Sequence, residues 1–251
     1  GYQCVVAHCN FHLRGDESLR DENFVEGLCK AEGVPFIKID FDTEAYATQH
    51  HLSIEMAARE LRYEWFEQVR LQQSAEAIAV GHHADDVAET FLMNITRGTG
   101  LKGLTGIKAR NGYIIRPLLD CSREEIESYA QTERIAFVHD SSNSEQNYTR
   151  NKFRHGILPM LKEINPSFLE TMKQNIALLN EAEELYRLKI DEIKTDVYSE
   201  TQGKISIDLQ KLNSYPAVTS ILYELLAPLH FSSVVVREIA ESLFSQSGIV
   251  R

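Results

Sequence analysis

Short apolar runs alternate with longer amphipathic segments through the first two-thirds of the chain. The short runs are rich in β-branched residues and predict strands at QCVVAHC (3–9), PFIKIDF (35–41), AIAVGH (77–82), YIIRPL (113–118) and IAFVHD (135–140). The longer segments repeat their apolar residues at helical spacing and predict helices over residues 18–33, 53–73, 85–98 and 122–134. This alternation predicts a doubly wound, parallel α/β sheet, whose ligands bind beyond the carboxyl ends of the strands.

Two of the predicted helices carry end signals. Ser122 and Glu125 have the spacing of a capping box, and Gly33 stands where the first helix should stop.

The pattern changes near residue 164. From Ser167 to about Glu200 one stretch without glycine or proline predicts a long helix, and GKISIDL (203–209) and further helical segments follow it. We therefore predict an α/β domain over residues 1–164 and a small, mostly helical domain over residues 165–251.

Composition narrows the class of protein. A hydrophobic content of 43% and a charged content of 25% are typical of a soluble globular protein. No apolar run approaches the roughly 18 residues of a membrane span, and the first residues lack the layout of a signal peptide, so we expect a cytoplasmic location. The four cysteines form no CxxC pair and no histidine has metal-ligand spacing to them, so we expect no bound transition metal.

The distribution of charge modifies what the net charge implies. A net charge of -11 disfavours a polyanionic partner such as nucleic acid. However, residues 91–119 contain five basic side chains and no acidic one, and residues 146–162 contain four basic side chains and no acidic one. Because of these two basic segments, the net charge does not exclude RNA as a partner.

The predicted helix after residue 84 has acids in its first turns. Asp86 and Glu89 are three residues apart and neighbour each other on the helix, shortly after His82 at a predicted strand end. Acids at this position also stabilise a helix dipole by roughly 0.3–1 kcal/mol without any other role. The alternative is a pocket for a cation such as an ammonium group.

Basic residues gather at three further places. RGTGLKGLTG (97–106) contains a GxGxxG pattern, but it follows a helix instead of opening one, so it is no dinucleotide fingerprint. Its Arg97 and Lys102 suit phosphates or RNA, and a glycine-rich helix exit with solvated basic residues explains them equally well. Arg150 and Arg154 share a helix face and suit an anion, as does the pair Arg59 and Arg62, although a solvated helix face is the commoner explanation of such a pair taken alone.

Together, five segments resemble the tRNA(Ile)-lysidine synthetase family, a branch of the ATP-pyrophosphatase loop proteins. The segments are AHCNFHLRGDES (7–18), AARELRY (57–63), GHHADDVAETFLMNITRGTGLKGLTGI (81–107), IRPLL (115–119) and DSSNSEQNYTRNKFRHGILP (140–159). They stand in the family's order and spacing. The resemblance implies an adenine nucleotide alpha hydrolase-like fold.

The resemblance also implies a reaction in two steps. ATP, with Mg²⁺, adenylates the oxygen on carbon 2 of the wobble cytidine in a CAU anticodon of tRNA(Ile), and the ε-amino group of free L-lysine then displaces AMP. By match, Asp86 and Glu89 would bind lysine, and His82 would line the nucleotide side. Arg62 and Arg154 would support adenylation, and Arg97, Lys102, Arg150 and Arg154 would contact the tRNA. A homodimer stays open.

The chain departs from the family pattern at one place. The family's SGGxDS loop, which supplies amides for the phosphates and an aspartate for magnesium, does not occur in it. We therefore expect the chain to be inactive by itself, with no metal ligand of its own. Two alternatives remain: a tRNA thiolase of the same superfamily, for which paired cysteines would be usual, and a non-catalytic RNA-docking module.

Overall fold

The computed structural model describes residues 2–138 and 149–244. Within them the chain forms two compact units. One contains the residues up to 99 together with residues 106–173, and the other contains residues 100–105 together with the residues from 174 onward. The domain boundary near residue 164 stays a prediction.

Parallel strands organise the first unit. Strand β1 (Val6–Asn10) pairs in parallel with β2 (Phe36–Asp40), and β3 (Ile78–Ala79) pairs in parallel with β5 (Ile114–Ile115). A short strand β4 (Arg110–Asn111) is antiparallel to β5. Four of the five predicted strands are therefore present, and helices connect the parallel partners, as the alternating pattern predicts.

Helices make up most of the rest of the first unit. They are α1 (Asp16–Glu32), α2 (Thr43–His50), α3 (Ile54–Gln72), α4 (Ala84–Arg97), α6 (Arg123–Thr132), α7 (Thr149–Lys152), a π-helical turn (Phe153–Ile157) and α8 (Leu158–Ile164). The four predicted helices are present, and α2 is an addition whose amino end is capped by the side chain of Asp42.

Both predicted end signals are confirmed. The Ser122 hydroxyl accepts a hydrogen bond from the backbone N–H of Glu125, and the Glu125 carboxylate accepts one from the backbone N–H of Ser122. Gly33 ends α1 in the left-handed conformation with φ of 65°.

The strand predicted over residues 135–140 is wrong for its described part. Residues 135–138 form no strand, and residues 139–140 lie outside the described residues. The N–H of Ile135 instead bonds the carbonyl of Ala130 at 2.8 Å, which closes the end of α6 after a left-handed Arg134. The apolar side chains of Ile135, Phe137 and Val138 in this run are exposed.

The second unit is mostly helical and contains one hairpin. Its elements are α5 (Leu101–Leu104), most of α9 (Phe168–Val197), β6 (Tyr198–Thr201), β7 (Lys204–Ile207), α10 (Leu209–Leu212), α11 (Val218–Leu226), a 3₁₀ turn (Ala227–Leu229) and α12 (Ser233–Phe244). Strands β6 and β7 are antiparallel, an arrangement that the helical pattern did not predict. Leu212, Leu222 and Val236 are almost fully buried in its core.

No helix among the residues that the structure describes is both long and apolar enough to cross a membrane.

Candidate active site

The site lies at the start of α4, shortly after strand β3. The backbone N–H of His83 donates to Oδ2 of Asp86 at 3.0 Å, which fixes the first turn of the helix. Because β3 is parallel to β5, this turn lies at a carboxyl end of the sheet, where doubly wound folds bind ligands. The sequence predicts this position for Asp86 and Glu89.

Two arginines from the segment after residue 149 bind these two carboxylates. The guanidinium of Arg150 donates from Nε to Oε2 of Glu89 at 2.7 Å and from Nη2 to Oδ1 of Asp86 at 2.8 Å. Arg154 donates from Nε to Oε1 of Glu89 at 2.7 Å. Its Nη2 donates to Oε2 of Glu89 at 3.0 Å and to Oδ1 of Asp86 at 3.2 Å. We call these four residues the carboxylate–arginine cluster.

The carboxylates of the cluster are buried, and burial strengthens their attraction to the arginines. The Glu89 side chain has no exposed surface, and that of Asp86 is 11% exposed. Burial alone would lower the pKa of Arg154, but the hydrogen bond to Glu89 and the charges of Glu89 and Asp86 outweigh it and raise the pKa. The cluster therefore holds two negative and two positive charges, and each arginine bridges both acids in the geometry that suits a guanidinium.

The neighbouring acid, Asp85, is tied to different elements. Its carboxylate accepts a hydrogen bond from Nζ of Lys162 in α8 at 2.6 Å and another from the backbone N–H of Arg123, which opens α6, at 2.8 Å. Burial alone would raise the pKa of Asp85, but these two hydrogen bonds outweigh it and lower the pKa. Asp85 and Lys162 thus connect α4, α6 and α8 beside the cluster. Sequence reasoning missed both residues, although Asp85 directly precedes Asp86.

His82 lies beside the cluster on the strand side. Burial lowers the pKa of His82, although the charge of Asp86 opposes this shift. Arg59, Arg116 and Arg150 also lower this pKa through their positive charges. The buried Nδ1 of His82 has no hydrogen-bond partner among the described residues. Burial therefore favours the neutral imidazole of His82, and its unpartnered Nδ1 is an atom that a ligand could bond.

Arg62 lies at the carboxyl end of a different strand. Its guanidinium carbon is 5.0 Å from the ring centre of Phe11, directly after β1, and Phe11 stacks on Phe41 directly after β2. The structure therefore places Arg62 at the carboxyl end of β1, and no contact joins it to the cluster among the described residues.

Arg97 and Lys102, the other two residues predicted to contact RNA, have no contact with the cluster among the described residues. Arg97 and Lys102 are exposed, and neither forms an ion pair among the residues that are described. Arg97 ends α4 in the first unit, whereas Lys102 belongs to the second unit. Part of the predicted motif at 140–159, residues 140–148, lies outside the described residues.

Two family models match parts of the chain. Residues 1–161 match the PP-loop domain family, and residues 200–250 match the TilS substrate binding domain. A PP-loop domain is an adenine nucleotide alpha hydrolase-like α/β fold, so the predicted fold class is confirmed.

Several curated relatives are tRNA(Ile)-lysidine synthases. One from Bacteroides thetaiotaomicron is 50% identical over 248 residues, which are 99% of this chain and 57% of that protein. One from Porphyromonas gingivalis is 46% identical over 249 residues, 99% of this chain and 54% of that protein. The chain thus spans about half the length of the curated relatives it matches. The resemblance that the five segments predict is confirmed, and a thiolase is not favoured.

A solved structure shares the fold. The U34-tRNA thiolase NcsA from Methanococcus maripaludis with its [4Fe-4S] cluster superposes with a TM-score of 0.56 at 17% sequence identity. The match covers 70% of this chain and 61% of that one. At this identity the likeness concerns the fold alone.

Proposed function

We propose that this chain, which belongs to the PP-loop family, carries the lysine-binding and part of the tRNA-binding machinery of a tRNA(Ile)-lysidine synthase. Its reaction would attach free L-lysine to carbon 2 of the wobble cytidine in the CAU anticodon of tRNA(Ile), in the cytoplasm, at the expense of ATP. The observation that carries the proposal is the pair of buried carboxylates at the start of α4, which already bind two cations.

The first step of the proposed reaction forms an adenylated RNA. The oxygen on carbon 2 of the cytidine attacks the α-phosphorus of ATP, and pyrophosphate leaves. Negative charge accumulates on the phosphate oxygens during this transfer, and guanidinium groups stabilise it. We propose that Arg62, at the carboxyl end of β1, and Arg154, in the cluster, supply these guanidinium groups. His82 would face the nucleotide as a neutral imidazole.

The second step forms the carbon–nitrogen bond. The ε-amino nitrogen of lysine attacks carbon 2 of the cytidine, the bond from that carbon to the adenylate oxygen breaks, and AMP leaves with the oxygen. A free amino acid with a cationic group needs carboxylates for orientation, and Asp86 with Glu89 supplies two at one position. We propose that they hold the lysine while its nucleophilic nitrogen reaches the cytidine.

Magnesium ion would neutralise the phosphates of ATP when it is bound. The residues that the structure describes contain no group of three or more histidine, cysteine, aspartate or glutamate side chains that could hold a metal ion. We therefore assign none of the described residues to the ion.

Lysine incorporation tests the proposal. The protein at its full natural length is incubated with ATP, radiolabelled lysine and a tRNA(Ile) transcript with a CAU anticodon, and label in the RNA is counted. We expect incorporation that falls at least 100-fold in Asp86→Asn and Glu89→Gln and stays unchanged in Glu163→Gln, which alters an exposed acid on α8. Absence of label with the unaltered protein, or full incorporation by both site variants, would refute it.

A further inference from the structure

The carboxylates proposed to bind lysine are already paired with this chain's own cations. Oδ1 of Asp86 and both carboxylate oxygens of Glu89 accept hydrogen bonds from the two arginines, and Oδ2 of Asp86 accepts the backbone N–H of His83. Every carboxylate oxygen of the pair thus has a donor. The formal charges of the cluster sum to zero, so an approaching ammonium group meets no uncompensated negative charge.

We propose, on the basis of the function proposed above, that Arg150 determines when the site accepts lysine. Arg150 occupies the position of the ligand cation, and lysine binds once an anionic substrate has drawn this guanidinium away. The anion that the proposed reaction provides is the phosphate chain of the nucleotide.

The Arg150 side chain is more exposed to solvent than that of Arg154. The side chain of Arg150 is 39% exposed, whereas that of Arg154 is 15% exposed. Arg150 donates two hydrogen bonds to the pair and Arg154 donates three. A partly hydrated ion pair exchanges its partner more easily than a buried one, because less desolvation has to be reversed. Arg150 is therefore the cation that can leave while Arg154 continues to hold Glu89.

The charge balance then sets the order of binding. When Arg150 leaves for a phosphate, the cluster gains a net charge of −1, and Oε2 of Glu89 and Oδ1 of Asp86 each lose one donor. An ammonium group of lysine then takes the place of the Arg150 guanidinium and returns the net charge of the cluster to zero. Phosphate and carboxylate compete for one guanidinium, so nucleotide raises the affinity for lysine, and by linkage lysine raises the affinity for nucleotide by the same factor.

Calorimetry with L-lysine tests the inference on the protein at its full natural length, with and without an ATP analogue whose α,β-bridge is a methylene. For the unaltered protein we expect lysine to bind at least tenfold more tightly with the analogue. Arg150→Gln should bind lysine in both conditions with less than a twofold difference. Arg150→Lys, which keeps the charge but cannot bridge two carboxylates, should give an intermediate ratio.

Arg20→Gln is the matched control, since it removes an exposed cation of α1 outside the cluster and should keep the tenfold dependence. Equal lysine affinity with and without analogue in the unaltered protein, or an undiminished ratio in Arg150→Gln, would overturn the role of Arg150 while lysine incorporation into tRNA remains intact. Absence of lysine binding in every protein and condition, together with absent incorporation, would overturn the proposed function and this inference with it.

Discussion

Arg154 donates hydrogen bonds to both carboxylate oxygens of Glu89, whose side chain has no exposed surface. The two residues lie 65 positions apart in the sequence. A fully buried carboxylate is tolerated only when it is paired, because removal of a charge from water costs several kcal/mol. The α7–π segment is therefore attached to α4 by charge, and the stability of the first unit depends on this contact.

Neutralisation of Glu89 should destabilise the protein. In Glu89→Gln the guanidinium groups of Arg150 and Arg154 lose a charged partner inside the fold, and we expect a loss on the order of 3 kcal/mol in the free energy of unfolding. Urea denaturation followed by circular dichroism measures it. The exposed control Glu163→Gln should change the value by less than about 0.5 kcal/mol. Equal effects of the two substitutions would show that the cluster contributes nothing to stability.

Asp85 should give the protein a pH-dependent stability. Its pKa is lowered in the folded state by Lys162 and by the N–H of Arg123, so its contribution is present above the ordinary value of 3.8 and is lost as the pH falls through the folded pKa. We therefore expect the difference in unfolding free energy between the unaltered protein and Asp85→Asn to be largest near neutrality and to shrink as the pH falls below about 4.

Denaturation curves at several pH values measure this difference. Asp120→Asn is the control, since Asp120 forms an exposed ion pair with Lys173, and we expect an effect below about 0.5 kcal/mol at every pH. A difference for Asp85→Asn that does not change with pH would contradict the linkage.

Arg62 should matter for adenylation more than Arg20, an exposed arginine of α1. Arg62 lies beside Phe11 at the carboxyl end of β1, whereas Arg20 pairs with Asp21 on its own helix at 2.7 Å. Loss of a preorganised donor to a developing charge typically costs about 100-fold in rate. We expect that loss in Arg62→Ala and less than about fivefold in Arg20→Ala, measured as tRNA-dependent release of pyrophosphate by the protein at full natural length. The reverse ranking would remove Arg62 from the assignment.

Arg97 and Lys102 should contribute to tRNA affinity through charge alone. Both are exposed and unpaired among the described residues, so each can neutralise one phosphate. Alanine at either position should weaken tRNA binding and reduce the slope of log affinity against log salt by about 0.7–0.9. Filter binding over a range of KCl concentrations measures the slope. Lys30→Ala, at the exposed end of α1, should leave the slope unchanged, and an unchanged slope for Arg97 and Lys102 would show that neither contacts the RNA.

The local features of the fold could be predicted from the sequence. The capping box at Ser122, the stop at Gly33 and the four amphipathic helices depend on neighbours a few residues away, and all of them are confirmed. The strand expected from residue 135 is wrong over residues 135–138, the part of it that the structure describes, since a β-branched run is read as a strand only by propensity and the tertiary context decides. The run instead closes the end of α6 through Ile135.

The candidate site could be predicted only in part, since the contacts that hold it together join residues far apart in the sequence. The sequence predicts the proximity of Asp86 to Glu89 and of Arg150 to Arg154, because the members of each pair lie only three or four residues apart. A helical wheel, however, places Glu89 opposite the apolar stripe, which suggests a solvent-facing side chain. The structure buries this face too, under the arginine-bearing segment, and no local pattern encodes a contact across 61 to 68 positions.

Asp85 and Asp86, which are adjacent on α4, bind different partners. This arrangement restricts insertions and deletions in the first turns of α4. Successive residues of an α-helix point about 100° apart, so Asp85 faces Lys162 while Asp86 faces the arginines. A residue inserted between Ala84 and Glu89 would rotate one acid out of its position and leave a guanidinium or an ammonium opposite a neutral side chain. Length variation in relatives should therefore fall before residue 84 or after residue 97, and the turn between Ala84 and Glu89 should keep its register.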